Sequence, residues 1–461
     1  MKRNKLKELT YTVITMLRSY SENRDLAVYY PEFLSLYTVV YLHENNFFDC
    51  KYQNISERLK SSKSNNIAIE VNKLYKDLEE KHKYLANVFC QIELSSNDNE
   101  YIREMNAKLI NVFETLEHIK FEGLYGEVFS SLIEYASTNS GRKAGNFATP
   151  SIIRRLMIEL LAPESAKTIY DPVCGSGGLL VEAENFVKRN NPGSGLKGVY
   201  GEEINSTTLR IAKQNLIING CINSIVWNSN SLTNPSTQID DNNYRKFDYV
   251  VANPPFSIKK WDEQISVQKD SRFNYGPPPS GSADFAFVQH CLSSLKDRGK
   301  AAIIVSPGSL FRMGAEGKIR KRLIEENLIS CVISLPPNLF HNTMIAPNIL
   351  ILDKCKLDDK VLLIDASSDF EKNGKTLTLN EGCIKNILNS FKQSVAHSSK
   401  VVFVKNEDLL EKNGLLSVSN YFVNSIDSTI EESFEELTKK QDDLFMKLEK
   451  LNSNLQSVLY K

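Results

Sequence analysis

Residues 168–183 read TIYDPVCGSGGLLVEA, and this stretch decides the fold. It opens with a short β-rich run that closes on Asp171. From Leu179 onward the apolar spacing is helical. Between them stand Gly175, Gly177 and Gly178, which let the backbone turn tightly and bring main-chain N–H groups close to a ligand. Strand, glycine turn and helix form the opening unit of a doubly wound α/β sheet. The dinucleotide fingerprint wants G-x-G-x-x-G after the strand, whereas here an Asp precedes the glycines. A carboxylate in that position suits a ligand carrying an ammonium group.

Outward from this unit, from about residue 126 to 365, short β-rich runs alternate with helical patterns: KTIYDPV, LKGVYGEEI, NSIVWNS, FDYVVANPP, KAAIIVSP, LISCVISLP and NILILDK. That alternation predicts a Rossmann-like, doubly wound parallel sheet. Ligands of such sheets sit at the carboxyl ends of the strands, and the informative residues fall there. The second strand ends on Glu202 and Glu203. An acid at that place accepts both hydroxyls of a ribose, and spacing alone does not choose between the two. The third ends at Asn230 and Ser231, which suit an adenine edge. The fourth ends in Asn253-Pro254-Pro255-Phe256.

Two prolines cannot continue a central strand, because they lack the ladder N–H and fix φ. They hold Asn253 and Phe256 at the mouth of a rigid turn. Methyl transfer to an exocyclic amine needs such a device, because the amine lone pair is delocalised into the ring. Two acceptors aimed at its hydrogens, the Asn253 side-chain oxygen and the Pro254 carbonyl, localise that pair, and the prolines keep them preorganised. Phe256 is placed to stack on a base that has been flipped out of its duplex.

The remaining chain frames this core. Residues 1–125 lack strand alternation and predict a helical N-terminal domain; 126–390 form the catalytic domain; 391–461 become polar and then heptad-like. Ile426, Ile430, Phe434, Leu437, Leu444, Leu448, Leu451, Leu455 and Val458 make a coiled-coil-type seam, which folds back on its own domain or docks on a partner helix. The 461 residues carry 56 basic and 56 acidic side chains, so a protein gripping DNA by its phosphates alone is not expected. Eight scattered cysteines with no C-x-x-C pair argue against a zinc site or a disulfide framework, and no metal is expected. No stretch is long and apolar enough for a membrane span, no signal peptide opens the chain, and the cytoplasm is the expected compartment.

DPVCGSGG and NPPF resemble the cofactor loop and catalytic motif of the S-adenosylmethionine-dependent amino-methyltransferases of DNA. GRKAGNFATPSIIRRL resembles the cofactor-binding Phe-x-Thr-Pro segment of the adenine-N6 group, and the motif order is that of the gamma class. The long run from Ser271 to Phe340, continued in IAPNILILDK and VLLIDAS, narrows the likeness to the modification (M) subunit of type I restriction–modification systems. The resemblance covers residues 120–370 strongly. It implies S-adenosylmethionine as cofactor, bound by Asn146, Phe147, Ala148, Thr149, Pro150, Ser151, Asp171, Gly175, Ser176, Gly177, Gly178, Glu203 and Asn230. It selects Glu203 over Glu202 as the ribose acid. Asn253, Pro254, Pro255 and Phe256 are implied as catalytic. It implies double-stranded DNA, a specificity (S) subunit and a second M subunit as partners, with a restriction (R) subunit as a further one, and places the C-terminal helices against the S subunit. Two departures stand out. Asn230 occupies the place of a usual Asp, and FATP replaces an aromatic pair with Phe-Ala.

Rival readings share the strand-end motifs: methylation of RNA or of a protein glutamine, or a non-catalytic scaffold of the same fold. NGKTL at 373–377 lacks the first glycine of a phosphate loop. Cys174 lies in the glycine turn, but no Pro-Cys dipeptide occurs, which argues against cytosine-C5 chemistry. The basic run GKIRKRL at 317–323 reads as a solvated helix face, with phosphate contact as its alternative.

Overall fold

The computed structural model describes residues 2–21, 26–47, 54–62, 64–139, 149–221, 223–240, 243–340, 345–373, 376–393 and 400–422. Asn146, Phe147 and Ala148 and the whole heptad seam from Ile426 to Val458 lie outside the described residues. Residues 1–418 form one compact unit and 419–461 another.

The N-terminal part is helical: α1 (Lys2–Ser21), α2 (Leu26–Glu44), α3 (Ile55–Lys60), α4 (Ile67–Lys81), α5 (Asn99–His118) and α6 (Tyr125–Asn139). Local chemistry starts several of these helices. The Asn66 side chain accepts from Ile69 N–H to cap α4, and Asp98 accepts from Glu100 N–H to cap α5. Their apolar faces meet in one core built around Phe33, Tyr37, Phe113, Phe121 and Phe129. That core continues through α6, past the boundary expected at residue 125.

The rest alternates helix and strand: α7 (Ser151–Leu161), β1 (Thr168–Asp171), α8 (Gly178–Asn190), β2 (Gly198–Glu203), α9 (Ser206–Ile218), β3 (Ser224–Asn228), β4 (Gln238–Asp240), β5 (Asn243–Tyr244), β6 (Phe247–Ala252), α10 (Asp284–Ser293), β7 (Leu295–Val305), α11 (Ala315–Glu325), β8 (Ile329–Ser334), β9 (Asn348–Asp353), β10 (Lys360–Asp365), β11 (Glu371–Asn373), β12 (Thr376–Thr378), α12 (Glu381–Gln393), β13 (Val401–Lys405) and α13 (Asn406–Glu411). Nine strands make one sheet in the order β13-β10-β8-β9-β7-β6-β1-β2-β3. Strands β3, β2, β1, β6 and β7 are parallel, as are β8 and β10. The sheet is not wholly parallel: β9 runs antiparallel between β7 and β8, and β13 pairs antiparallel with β10. Strand β13 lies beyond the boundary expected at residue 390 and still completes the sheet edge.

The central strands are buried on both faces, which is why AAIIV, NILIL and VLLI read as continuous apolar runs. Helix α9 belongs to both halves. One side covers the sheet, while Ile211, Ile217 and Ile218 enter the N-terminal core. The Gln214 side chain donates to Ser35 Oγ at 2.9 Å and to Val88 O at 2.8 Å. Gly126 comes so close to Asn219 that an added Cβ would lie 2.3 Å from its side-chain oxygen.

Candidate active site

The strand order turns back at β1. From it the chain builds outward to β2 and β3 on one side, and later to β6 and β7 on the other. The crevice at the carboxyl ends of β1 and β6 is the topological switch point, where open α/β sheets place ligands. Asp171 closes β1 and Asn253 follows β6, so the two motifs 82 residues apart in sequence share that crevice.

Beyond Asp171 the chain turns through Gly175 at φ 54° and Gly177 at φ 75° and enters α8. Cys174 N–H donates to Glu202 O at 2.9 Å, anchoring the turn to β2. A Cβ on Gly175 would meet nothing within 4 Å, whereas one on Gly178 would lie 2.8 Å from Arg154 Cδ. The turn is thus open on its outer side and packed tight beneath. Helix α8 begins without a side-chain cap, so its first N–H groups are available to an anionic group. Cys174 is buried, and burial pushes its thiol well above the ordinary range, so it packs rather than reacts.

Asp171 is 1 % exposed and accepts Val173 N–H at 3.0 Å. Burial pushes its carboxyl up to about 8, with the nearby Glu203 charge adding to the rise. Glu203 is likewise raised by burial, against the pull of the Asn205, Gly175 and Ile204 N–H groups. Asn205 also caps α9 through Thr208 N–H, so one residue fixes both the helix and the acid. A desolvated carboxyl beside a glycine turn fits a ligand ammonium. A second, half-buried carboxyl held by the same turn fits a diol.

The neighbouring Glu202 has a different place. The strand pleat turns it to the opposite face, fully buried. It accepts from Tyr170 Oη at 2.7 Å, Ser229 Oγ at 2.5 Å and Ser236 N–H at 3.1 Å. Tyr170 also meets His290 Nε2 at 3.0 Å, and Arg272 meets His290 Nδ1 at 3.0 Å. Arginine only donates, so Nδ1 accepts and Nε2 carries the proton toward Tyr170. Burial, with Arg272 and Lys246 nearby, holds His290 neutral. Glu202 therefore belongs to a buried chain of hydrogen bonds that welds β1 and β2 to α10.

Arg272 extends this weld to the third strand end. Its guanidinium donates to Ser231 O at 2.7 Å and Leu232 O at 2.6 Å. Asn230 spends its side-chain oxygen on Leu232 and Thr233 N–H, at 3.0 and 3.3 Å. It shapes its own turn, and the Ser231 side chain is buried. Above them Leu232, Trp261, Val267, Phe273 and Phe287 form a small core, against which Val173 of the glycine turn packs. Sequence reasoning missed this cover, Arg272 and Asp284. Its one sequence sign was an Asp inside the apolar run ADFAF.

At the fourth strand end the Asn253 side-chain nitrogen donates to Thr149 Oγ1 at 2.9 Å. With its nitrogen on Thr149, the amide leaves Oδ1 to accept. Thr149 is in turn fixed by its carbonyl, which accepts from Arg154 at 2.7 Å. Pro254 is buried, Pro255 exposed, and Phe256 half-buried with its ring leaning on the main core. Neither proline has an N–H to anchor the turn. Ser257 supplies an anchor, at φ 54°, donating its N–H to Asp284 Oδ1 at 2.8 Å.

Pro150 precedes α7, and Ser151, its first residue, is exposed with its N–H given to Glu134 at 2.9 Å. Asn215 holds the Ser176 carbonyl at 2.9 Å. The basic run 317–323 is not a solvated face throughout, because Arg320 is fully buried and donates to Ser309, Arg312 and Gly414 carbonyls. Among the described residues no cluster of His, Cys, Asp and Glu suits a metal ion, and no helix is long and apolar enough to cross a membrane.

Comparison with known proteins places this geometry among relatives. Residues 121–429 match the family model described as N-6 DNA Methylase. The type I restriction enzyme MpnII methylase subunit of Mycoplasma pneumoniae is 30% identical over 432 residues, covering 86% of this chain and 79% of that one. The HindI methylase subunit of Haemophilus influenzae is 35% identical over 252 residues, covering 54% and 55%. The solved type I restriction–modification methyltransferase subunit of Streptococcus thermophilus superposes with a TM-score of 0.74 at 26% identity, covering 90% of this chain and 98% of that one.

Proposed function

The chain belongs to the N-6 DNA methylase family, as one of the type I methylase subunits, and from that premise we propose how its site works. As a member it is an adenine-specific DNA methyltransferase that uses S-adenosylmethionine. The proposed reaction moves the methyl group to the N6 amine of an adenine turned out of double-stranded DNA, with the target sequence chosen by a separate specificity subunit.

Asp171 would hold the ammonium of the cofactor's amino-acid part, the N-terminus of α8 its carboxylate, and Glu203 its ribose hydroxyls. The sulfonium of the bound cofactor supplies an activated methyl group, so no protein nucleophile is required. Asn253 Oδ1 and the Pro254 carbonyl accept the two amine hydrogens and draw the lone pair out of the ring. Phe256 presents its uncovered part to the base. The amide of a neutral Asn steers the amine and does not act as a strong base; once the S–C bond has broken and the N–C bond has formed, the cationic nitrogen gives up its extra proton to solvent.

The observation that carries this reading is the 2.9 Å bond from Asn253 to Thr149. It ties the base-handling turn to the segment resembling the cofactor-binding one, and with the nitrogen so engaged Oδ1 is left to accept from an amine. The test is Asn253→Ala. Methyl transfer should fall at least about a hundredfold, as when one preorganised hydrogen-bonding group of a reacting centre is lost. S-adenosylmethionine binding, read by equilibrium dialysis, should persist. Near-normal turnover would refute the role.

A further inference from the structure

We propose that the loop Pro307–Gly314 is a wedge for DNA: Phe311 and Met313 enter the base stack beside the extruded target, kept in register with the Asn253 turn through Asp284. The inference rests on the reading that the substrate base leaves its duplex.

Phe311 is 49% exposed and Met313 62% exposed. Single exposed apolar side chains are common on any surface. These two follow β7, the strand beside β6, and so stand at the same sheet edge as Asn253. Ile258, on the turn after Phe256, and Ile345, just before β9, add exposed apolar surface at that edge. Lys259, next to Ile258, and Lys318, in the first turn of α11 after Gly314, are exposed, and their charge suits a polyanion.

The loop that carries the pair is braced from within. Ser306 Oγ accepts Ser309 N–H at 3.3 Å. The buried Arg320 takes the Ser309 carbonyl at 2.9 Å and the Arg312 carbonyl at 2.8 Å. Arg312, between the two apolar residues, donates to Glu316 and, at 2.7 Å, to Asp284 Oδ2. Ser306 Oγ also reaches Asp284 Oδ2, at 2.6 Å. The other oxygen of that carboxylate holds Ser257 N–H, the exit of the Asn253 turn. One buried side chain therefore joins the turn that would receive the base to the loop that would replace it. A loop already rigid loses little freedom on binding. Apolar side chains inserted at a base step part the stack and kink the duplex, and in doing so cover base faces left without a neighbour.

The test uses the full chain assembled with its specificity subunit, on a duplex carrying the complex's own mapped site. With 2-aminopurine at the target, wild-type binding should raise fluorescence. Phe311→Ala/Met313→Ala should lose most of that rise, and its single-turnover methylation of adenine should slow about tenfold or more, given what unstacking a base requires. Its S-adenosylmethionine affinity, melting temperature and subunit composition should not change. Removing the base opposite the target, which makes extrusion easy, should restore the variant's rate. A double variant that extrudes and methylates normally would overturn the wedge. So would one that loses its specificity subunit, since the face would then bind protein. No fluorescence rise with the wild type would overturn the extruded-base reading, and the wedge with it.

Discussion

Asp171 illustrates how a single residue's environment carries information its identity does not. Its ordinary carboxyl titrates near 4, and burial lifts it to about 8. Between those values the folded protein holds a proton that the unfolded chain releases, so stability without ligand falls as pH rises through that window. A ligand cation reverses the preference, because an ion pair favours the carboxylate. Cofactor binding at pH 7 should therefore release close to one proton, and affinity should climb with pH and level near 8. Calorimetry in two buffers of different ionisation enthalpy measures that release. Asp171→Asn should abolish it and weaken binding; a wild type that binds without releasing a proton would rule out the ammonium role. The adjacent choice between Glu202 and Glu203 was open at this scale. The resemblance selected Glu203, and the pleat of β2 sends Glu202 into a buried network with Tyr170, a contact no sequence spacing encodes.

At the scale of elements, the strand–turn–helix unit was legible because glycines mark backbone that other residues strain to adopt. The same logic extends to Gly201 inside β2, where strand position alone gives no reason for a glycine. A Cβ there would lie 2.9 Å from Cys174 Sγ and 3.1 Å from Leu180 Cδ1. Gly201→Ala should cost about 1–3 kcal/mol by overpacking. Cys174→Ala placed on top should recover part of that loss, and urea unfolding of the single and double variants measures the coupling. Independent, additive losses would show that the two do not share space. The parallel strands were legible from their apolar runs. The reversed β9 was not, because a strand buried on both faces reads the same in either direction. Asn230, a departure from the family pattern, caps its own turn, so its oxygen serves the backbone first.

For the whole molecule, the N-terminal helices and the sheet share helix α9, and the compact unit they belong to runs through residue 418. The boundary expected near 125 fell at a change of pattern, but α6 lies past it and packs with the helices before it. The heptad seam from Ile426 onward lies outside that unit. Deleting 426–461 should leave melting and cofactor binding of the chain unchanged while the specificity subunit no longer co-purifies; recovery of the complete complex would refute a docking role for the tail. By itself the sequence determined the fold class, the order of motifs and the chemistry each strand end could offer. Those follow from local rules: glycine freedom, proline rigidity and apolar period. Only the tertiary structure showed that Glu202 turns into a buried network, that Asn253 meets Thr149, and that Asp284 and Arg320 brace the turns nearby. In these contacts Thr149 and Asn253 stand 104 residues apart, Ser257 and Asp284 27, and Arg320 and the Gly414 carbonyl 94. Burial and geometry, which set their strength, exist only once the sheet has closed over them.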